Sequence, residues 1–218
     1  MIGGEPLRLG AIPAIQKRML IVLAVAVAAA NIDQPYPQLA PLQHAPTLAL
    51  ILAAPWFLRR WLLSTPSVAA LWLFLMLHTL GGRYIYSYVP YDVWSAALTG
   101  ETLSAPLGWS RNHYDRLIHF LFGALWTLPV REVLVRWNGV RSGLALFLAF
   151  AVIALGSTAY EVFEWALTLL AAGGTADYYN GQQGDMWDAQ KDMALAQVGS
   201  LAAITWALLT PGRQSWRK

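Results

Sequence analysis

Apolar runs alternate with short polar connections along the whole chain. Six of them, roughly residues 14–32, 45–62, 66–82, 116–137, 143–171 and 189–210, read as spanning helices, since about 20 mostly apolar residues cross the ~30 Å hydrocarbon core. The pattern predicts an all-α, polytopic transmembrane bundle of about six spanning helices, with residues 1–218 as a single integral membrane domain. Proline and glycine punctuate it: Pro35, Pro37, Pro41 and Pro46 predict an extended first connection, Pro66 opens the third helix, and Gly173-Gly174 stops the fifth. Arg8, Lys17 and Arg18 precede the run Met19 to Ala30 much as in a signal peptide. It is read as an uncleaved anchor, because the charge pattern works with this helix counted.

Composition sharpens the class. With 57% hydrophobic and 12% charged residues, the chain is far more apolar than a soluble domain, where about a quarter of residues are charged. The net charge of +3 lies at the edges of apolar segments rather than in a stripe, which argues against nucleic acid and for membrane lipid as the partner. The sequence names no protein partner. Zero cysteines exclude disulfides, thiolate metal sites and a cysteine nucleophile.

Lys and Arg divide unevenly. Arg8, Lys17, Arg18, Arg59, Arg60, Arg131, Arg136, Arg141, Arg213, Arg217 and Lys218 fall on one face, against Arg83, Arg111, Arg116 and Lys191 on the other. The positive-inside rule then predicts cytoplasmic termini, with Trp94, Trp109 and Trp187 at the outer interface and Trp61, Trp137 and Trp216 at the inner one. Of the twelve acidic residues only Glu5 and Glu132 belong to the inner face, and Arg136, four residues on, accounts for Glu132. The polar chemistry is lopsided: ten acids lie outside or in the outer half, with His78, His113 and His119, in an outer cluster drawn from residues 78–119 and 157–192.

Helix starts favour negative charge, so Asp185 with Asp188, and Asn112 with Asp115, fit capping-box-like arrangements. Asp192 lies one turn deeper than Asp188, past the free amides of the helix start. Glu161 and Glu164 sit toward the end of a helix, where its dipole disfavours anions. Glu161 would lie roughly 16 Å from that end, at a depth where a lone carboxylate costs roughly 2.5–3.5 kcal/mol on translocon scales and needs a partner. Ser157, Glu161, Glu164 and Thr168 form one polar stripe on an otherwise apolar helix. Asp115 and His119 share a face of the fourth run, and Leu195, Ala196 and Gly199 continue the Asp188/Asp192 face with residues that let a neighbour approach. His78 precedes a loop whose glycines allow a tight turn and reads as an interfacial histidine or an additional ligand.

The candidate ligand set for a divalent metal is Asp115, His119, Glu161, Glu164, Asp188 and Asp192, with Glu164 or Asp192 as general base. Carboxylate and imidazole suit magnesium, manganese, zinc or iron, and the metal is left open. Asp177, Asn180 and Asp185 offer calcium ligands, but without EF-hand spacing. Phosphate-loop, protease and hydrolase signatures are missing.

The blocks "GGRYIYSYVPYDVW", "RNHYDRLIHF", "YEVFEW" and "QGDMWDAQKDM", in this order, resemble the YjdF-like family of bacterial inner-membrane proteins over roughly residues 70–205. The resemblance implies a multi-pass location in the bacterial inner membrane and no assigned activity. The loop "GGTADYYNGQQGD" is longer and richer in tyrosine than that family's pattern. More narrowly, Asp115-Arg-x-x-His119-Phe120, then Glu161, then Asp188 and Asp192 before Gly199, is similar to the VanZ-like family, linked to glycopeptide-antibiotic tolerance. No role is carried over, since shared fold does not transmit function.

Three functions fit these residues. One is a structural, lipid-binding or partner-binding protein in which Arg83, Arg111, Arg116 and Lys191 latch onto the acids. Another is a metal-dependent enzyme acting on a lipid or lipid-linked head group at the outer leaflet. The third is a proton- or cation-coupled transporter, disfavoured by the lack of internal repeats and by the outward displacement of the cluster.

Overall fold

The computed structural model describes residues 12–170 and 182–210. Glu5, Arg8, Gly173-Gly174, Asp177, Asn180, Arg213, Trp216, Arg217 and Lys218, which carried expectations above, lie outside the described residues. The described residues form helices and no strand: α1 Ala14–Ala30, α2 Ala40–Arg60, α3 Thr65–Arg83, α4 Tyr91–Thr99, α5 Ser104–Leu107, α6 Tyr114–Arg136, α7 Ser142–Leu170 and α8 Asp188–Leu209. Among the described residues, four helices are long and apolar enough to cross a membrane: α3, α6, α7 and α8. Their exposed surfaces carry large apolar side chains such as Phe147 and Leu155, as expected where the outer solvent is lipid.

Cross-chain contacts give the direction of each helix. Gln16 at the start of α1 donates to the Leu63 carbonyl at 3.0 Å, and Arg83 at the end of α3 donates to the Ala30 carbonyl at 2.8 Å, so α1 and α3 run in parallel over their whole length. Between them in sequence, α2 runs the other way: Gln43 and His44 meet Gly82, while Leu58 clusters with Ile12 and Val68. The Tyr114 hydroxyl at the start of α6 reaches the Leu77 carbonyl near the end of α3 at 2.9 Å. At the far end of α6, Glu132 accepts from the Ser64 amide at 2.8 Å. With α7 antiparallel and α8 parallel to α6, the six long helices alternate in direction. One end, called basic here, holds Lys17, Arg18, Arg59, Arg60, Arg131, Arg136 and Arg141. The opposite, acidic end holds all described acids except Glu132.

The closest packing joins α6 to α8. A Cβ on Gly123 would collide with the Ala196 carbonyl and the Ser200 amide, and one on Gly199 with the Phe120 carbonyl. Backbone therefore lies on backbone, the arrangement small residues permit where apolar burial does not drive helices together. Thr127 seals the seam by donating to the Ser200 hydroxyl at 2.7 Å. This pairing sets Asp115 and His119 of α6 opposite Asp192 of α8.

Three local expectations are corrected. The second helix starts at Ala40, not 45, and Pro46 and Pro55 lie inside it. Pro41 occupies the first turn, where the missing N–H costs nothing. The turn after α3 is made by Ile85 and Tyr86, both with positive φ (43° and 55°), rather than by Gly81-Gly82. Those glycines end α3 and make room for the Tyr86 ring and for His44. The two helix starts are also capped differently: N-cap positions fall on His113 and Trp187. Asn112 and Asp185 instead accept from the amides two residues on, Tyr114 at 3.0 Å and Trp187 at 3.1 Å, as Asx-turns do.

Candidate metal centre at the acidic end

The polar residues at the acidic end form two layers. The outer layer is an ion-pair latch. Arg111 donates to both Asp188 oxygens, at 2.7 and 3.3 Å, and to the Gln182 carbonyl at 3.0 Å. Arg116 pairs with Asp185 and, at 3.2 Å, with Asp188. Lys191 donates to Asp185 at 2.5 Å. The Lys191 ammonium, followed by the Trp187 amide, holds the Asp185 carboxyl well below the usual carboxylate range. His113, just ahead of α6, has its imidazole pulled below the usual value by burial and then by Arg116 and Arg111. Arg83, expected to join the latch, instead donates to backbone carbonyls at the end of α1.

The inner layer lies about one helical turn deeper. Asp115, His119 and Asp192 each bring one donor atom into a group in which all lie within 4.8 Å of one another. His119 Nε2 is 3.7 Å from Asp115 Oδ1 and 3.5 Å from Glu161 Oε1. Asp192 is 2% exposed, and its Oδ1 has no hydrogen-bond partner among the described atoms; Glu161 Oε1 is likewise buried without a well-aligned donor. Buried carboxylate oxygens are seldom left so, because an unpaired one loses its hydration for nothing in return. A closed site with ~2.0–2.2 Å bonds has donors roughly 3–3.5 Å apart, closer than the 4.8 Å within which these three lie.

The remaining sequence-predicted residues divide between the layers. Glu164 is buried one turn along α7 from Glu161 and is hydrogen-bonded by Tyr160. Ser157 is buried on the same stripe, with Thr168 partly exposed beyond it. Asp188 stands apart from the inner group, both its oxygens accepting from arginine.

Two cavities flank the inner layer. One, of about 480 Å³, is bordered by Glu161, Glu164, Thr168, Gln182, Asp188 and Met193, between α7 and α8. The other, of about 220 Å³, reaches Asp115 and His119 from the α2/α3 side. His78 also lines it, 3.4 Å from the Thr47 hydroxyl and edge-on to the Tyr86 ring. Tyr160 and Thr47 went unnoticed in the sequence. A tyrosine one residue before Glu161 was the available signal for the first, whereas Thr47 sits among prolines that concealed its helix.

The family model described as "Predicted membrane protein (DUF2238)" matches residues 15–213. The chain is also 38% identical over 144 residues to inner membrane protein YjdF of Escherichia coli (strain K12), covering 64% of this chain and 65% of that protein. It thus spans just under two thirds of that relative's length. No solved structure matches the chain. The family match runs from the start of α1 past the end of α8 and takes in both polar layers, so the chain belongs to this family of membrane proteins.

Proposed function

We propose that the protein is a metal-dependent enzyme of the inner membrane that holds a divalent cation between Asp115, His119 and Asp192 and acts on a lipid head group at the outer leaflet. The observation that carries this reading is the convergence of three buried donors, one of them the unpartnered Asp192 oxygen, with Asp115 and His119 also bordering a cavity. A cation held there would neutralise the paired carboxylates and would supply Lewis-acid chemistry toward a head-group oxygen. Two carboxylates and an imidazole suit magnesium, manganese, zinc or iron. Glu161 and Glu164 border the larger cavity, where either carboxylate is placed to take a proton from water. In this reading Asp192 is a ligand and Glu164 keeps the role of base. All six long helices span the bilayer, with both termini cytoplasmic.

A second reading, a structural latch, is favoured by one specific observation: Asp185 and Asp188 are tied to Arg111, Arg116 and Lys191. It accounts for the outer layer and leaves the Asp192 Oδ1 and Glu161 Oε1 atoms of the inner one without a hydrogen-bond donor among the described residues. Elemental analysis of protein purified in mild detergent separates the two. Near-stoichiometric metal is expected in the wild type and in Asp185→Asn, and at least tenfold less in Asp192→Asn and His119→Gln, since losing even an outer-shell partner costs about 10–100-fold in affinity. Metal-free wild type after reloading with magnesium, manganese, zinc or iron would overturn the enzyme reading in favour of the latch.

A further inference from the structure

The smaller cavity does not end at Asp115 and His119. Leu50, Leu75 and Trp126 line it and also line a neighbouring cavity of about 260 Å³, bordered by apolar side chains of α1, α2, α3 and α6 from Met19 to Leu63. The two cavities therefore adjoin along these three side chains and together are called the passage below. Along α3 the passage runs from Val68 to His78, ten residues or about 15 Å. That length is half of the ~30 Å hydrocarbon core, and the far end lies among Leu58, Leu63 and Val68 toward the basic end of the bundle.

Its chemistry is graded along that length. Polar groups cluster at one end, where Asp115, His119, His78 and Tyr160 face the space. Beyond Leu75 the lining consists of leucine, isoleucine, valine, methionine, alanine, phenylalanine and tryptophan. Against α6, the passage is bordered by α2 on one side and by Gly156, Ser157 and Tyr160 of α7 on the other. Leu50 of α2, which lines both cavities, is 38% exposed, so its outer face would meet the surrounding lipid.

We infer that this passage takes one hydrocarbon chain of the substrate lipid, which enters sideways between α2 and α7 and places its head group against the Asp115/His119 wall. The inference rests on the metal-dependent reading and names its substrate class: an amphiphile with a chain about 15 Å long and a polar head that meets the cation. Water is a poor occupant of the lower part, which offers almost no polar partner. The chain serves as the ruler, since apolar contact along its length fixes how far the head reaches toward the metal.

The test uses the full-length, metal-loaded protein in phosphatidylethanolamine/phosphatidylglycerol vesicles doped with a single-chain alkyl phosphate carrying a diazirine near its tail. After irradiation, adducts are mapped by mass spectrometry. Adducts are expected on passage residues such as Leu75, Trp126 and Leu58. Leu75→Trp, which fills the junction, should lower their yield about tenfold, equivalent to ~1.4 kcal/mol. Leu73→Trp, on the exposed side of the same helix, should leave the yield unchanged. Leu50→Trp at the rim provides a second block should Leu75→Trp fold poorly. Adducts confined to lipid-facing residues such as Leu52 and Leu155, or equal yields in the filled and control variants, would overturn the inference. Metal content is read on the same samples. Bound metal without passage labelling rejects the passage alone, whereas passage labelling without metal supports the chain site and rejects the metal-dependent reading.

Discussion

Glu132 shows how much a single carboxylate organises. Pairing with Arg136 is present, as the four-residue spacing implies. Glu132 is nevertheless fully buried and accepts from the Ser64 amide at 2.8 Å, the Ser64 hydroxyl at 2.7 Å and the Ser67 hydroxyl at 2.5 Å, 65 to 68 positions away. It thereby ties down the N-cap residue of α3 and one hydroxyl of its first turn from another helix. Removing it strands a guanidinium and three donors, so Glu132→Ala should lower stability by about 3 kcal/mol, while Glu132→Gln, which keeps an acceptor, should recover part of that in detergent unfolding. Asp185 gives a second residue-scale expectation. Its folded pKa is depressed, so its contribution is present above the ordinary carboxylate value near 3.9 and is lost as pH falls through the lower folded value. The stability gap between wild type and Asp185→Asn should therefore stay constant from about pH 8 to pH 5 and close only in strong acid. A gap that closed already around pH 6 would show that Asp185 is not held by its cations. At this scale the deep acids were legible, because Glu161 and Glu164 lie at the wrong end of a dipole for capping. Partners in other helices were not, since nothing local to Glu132 points to Ser64.

At the scale of elements, the six long helices were legible from apolar runs, with boundaries shifted by a few residues. The larger error, at α2, has a physical cause: proline is tolerated in a first turn, so Pro41 opens the helix instead of extending the connection before it. Helices α4 and α5 escaped notice because they are short and their apolar residues stay exposed, as Val93 and Leu98 do. The α6–α8 seam was foreshadowed by Ala196 and Gly199, but its other half, Gly123, carried no signal without the pairing of the two helices. Glycine costs ~1 kcal/mol in a helix relative to alanine, so its effect depends on what it faces. Gly143 has open space around it, and Gly143→Ala should be neutral or slightly stabilising. Gly123→Ala and Gly199→Ala drive a methyl into a facing backbone, which no rotamer change relieves. Each should cost more than the 1–3 kcal/mol typical of overpacking and, because the seam positions Asp192 against His119, should reduce bound metal as well. Stability equal to that of Gly143→Ala would show that the helices are not in backbone contact.

At the scale of the whole molecule, the distribution of charge and the directions of the helices make the same demand. Helix α1 has only 17 residues and α2 carries Pro46 and Pro55, so length and composition alone single out four spans. Yet α1 accompanies α3 from the Gln16–Leu63 contact to the Arg83–Ala30 contact, and α2 returns alongside from Gly82 to Val68. A helix packed along the full length of a spanning helix shares its depth. If α3 crosses the bilayer, α1 and α2 cross with it, and the loop at Asp33 emerges on the same side as Thr102. The described Lys and Arg of the basic end then face the cytoplasm, as the positive-inside rule requires. The chain has no cysteine, so single-cysteine variants report without background. Asp33→Cys and Thr102→Cys, both exposed at the acidic end, should react with a membrane-impermeant maleimide added to intact spheroplasts. Arg141→Cys, exposed between α6 and α7, should react only after the membrane is opened. Labelling at Thr102 but not at Asp33 would leave the four-helix core spanning and remove α1 and α2 from the bilayer. It would also take away one wall of the passage, since Thr47 and Leu50 belong to α2. The topology measurement and the lipid-labelling measurement therefore constrain each other: a hydrocarbon chain held between α2 and α7 requires that α2 reach the depth at which Asp115 and His119 wait.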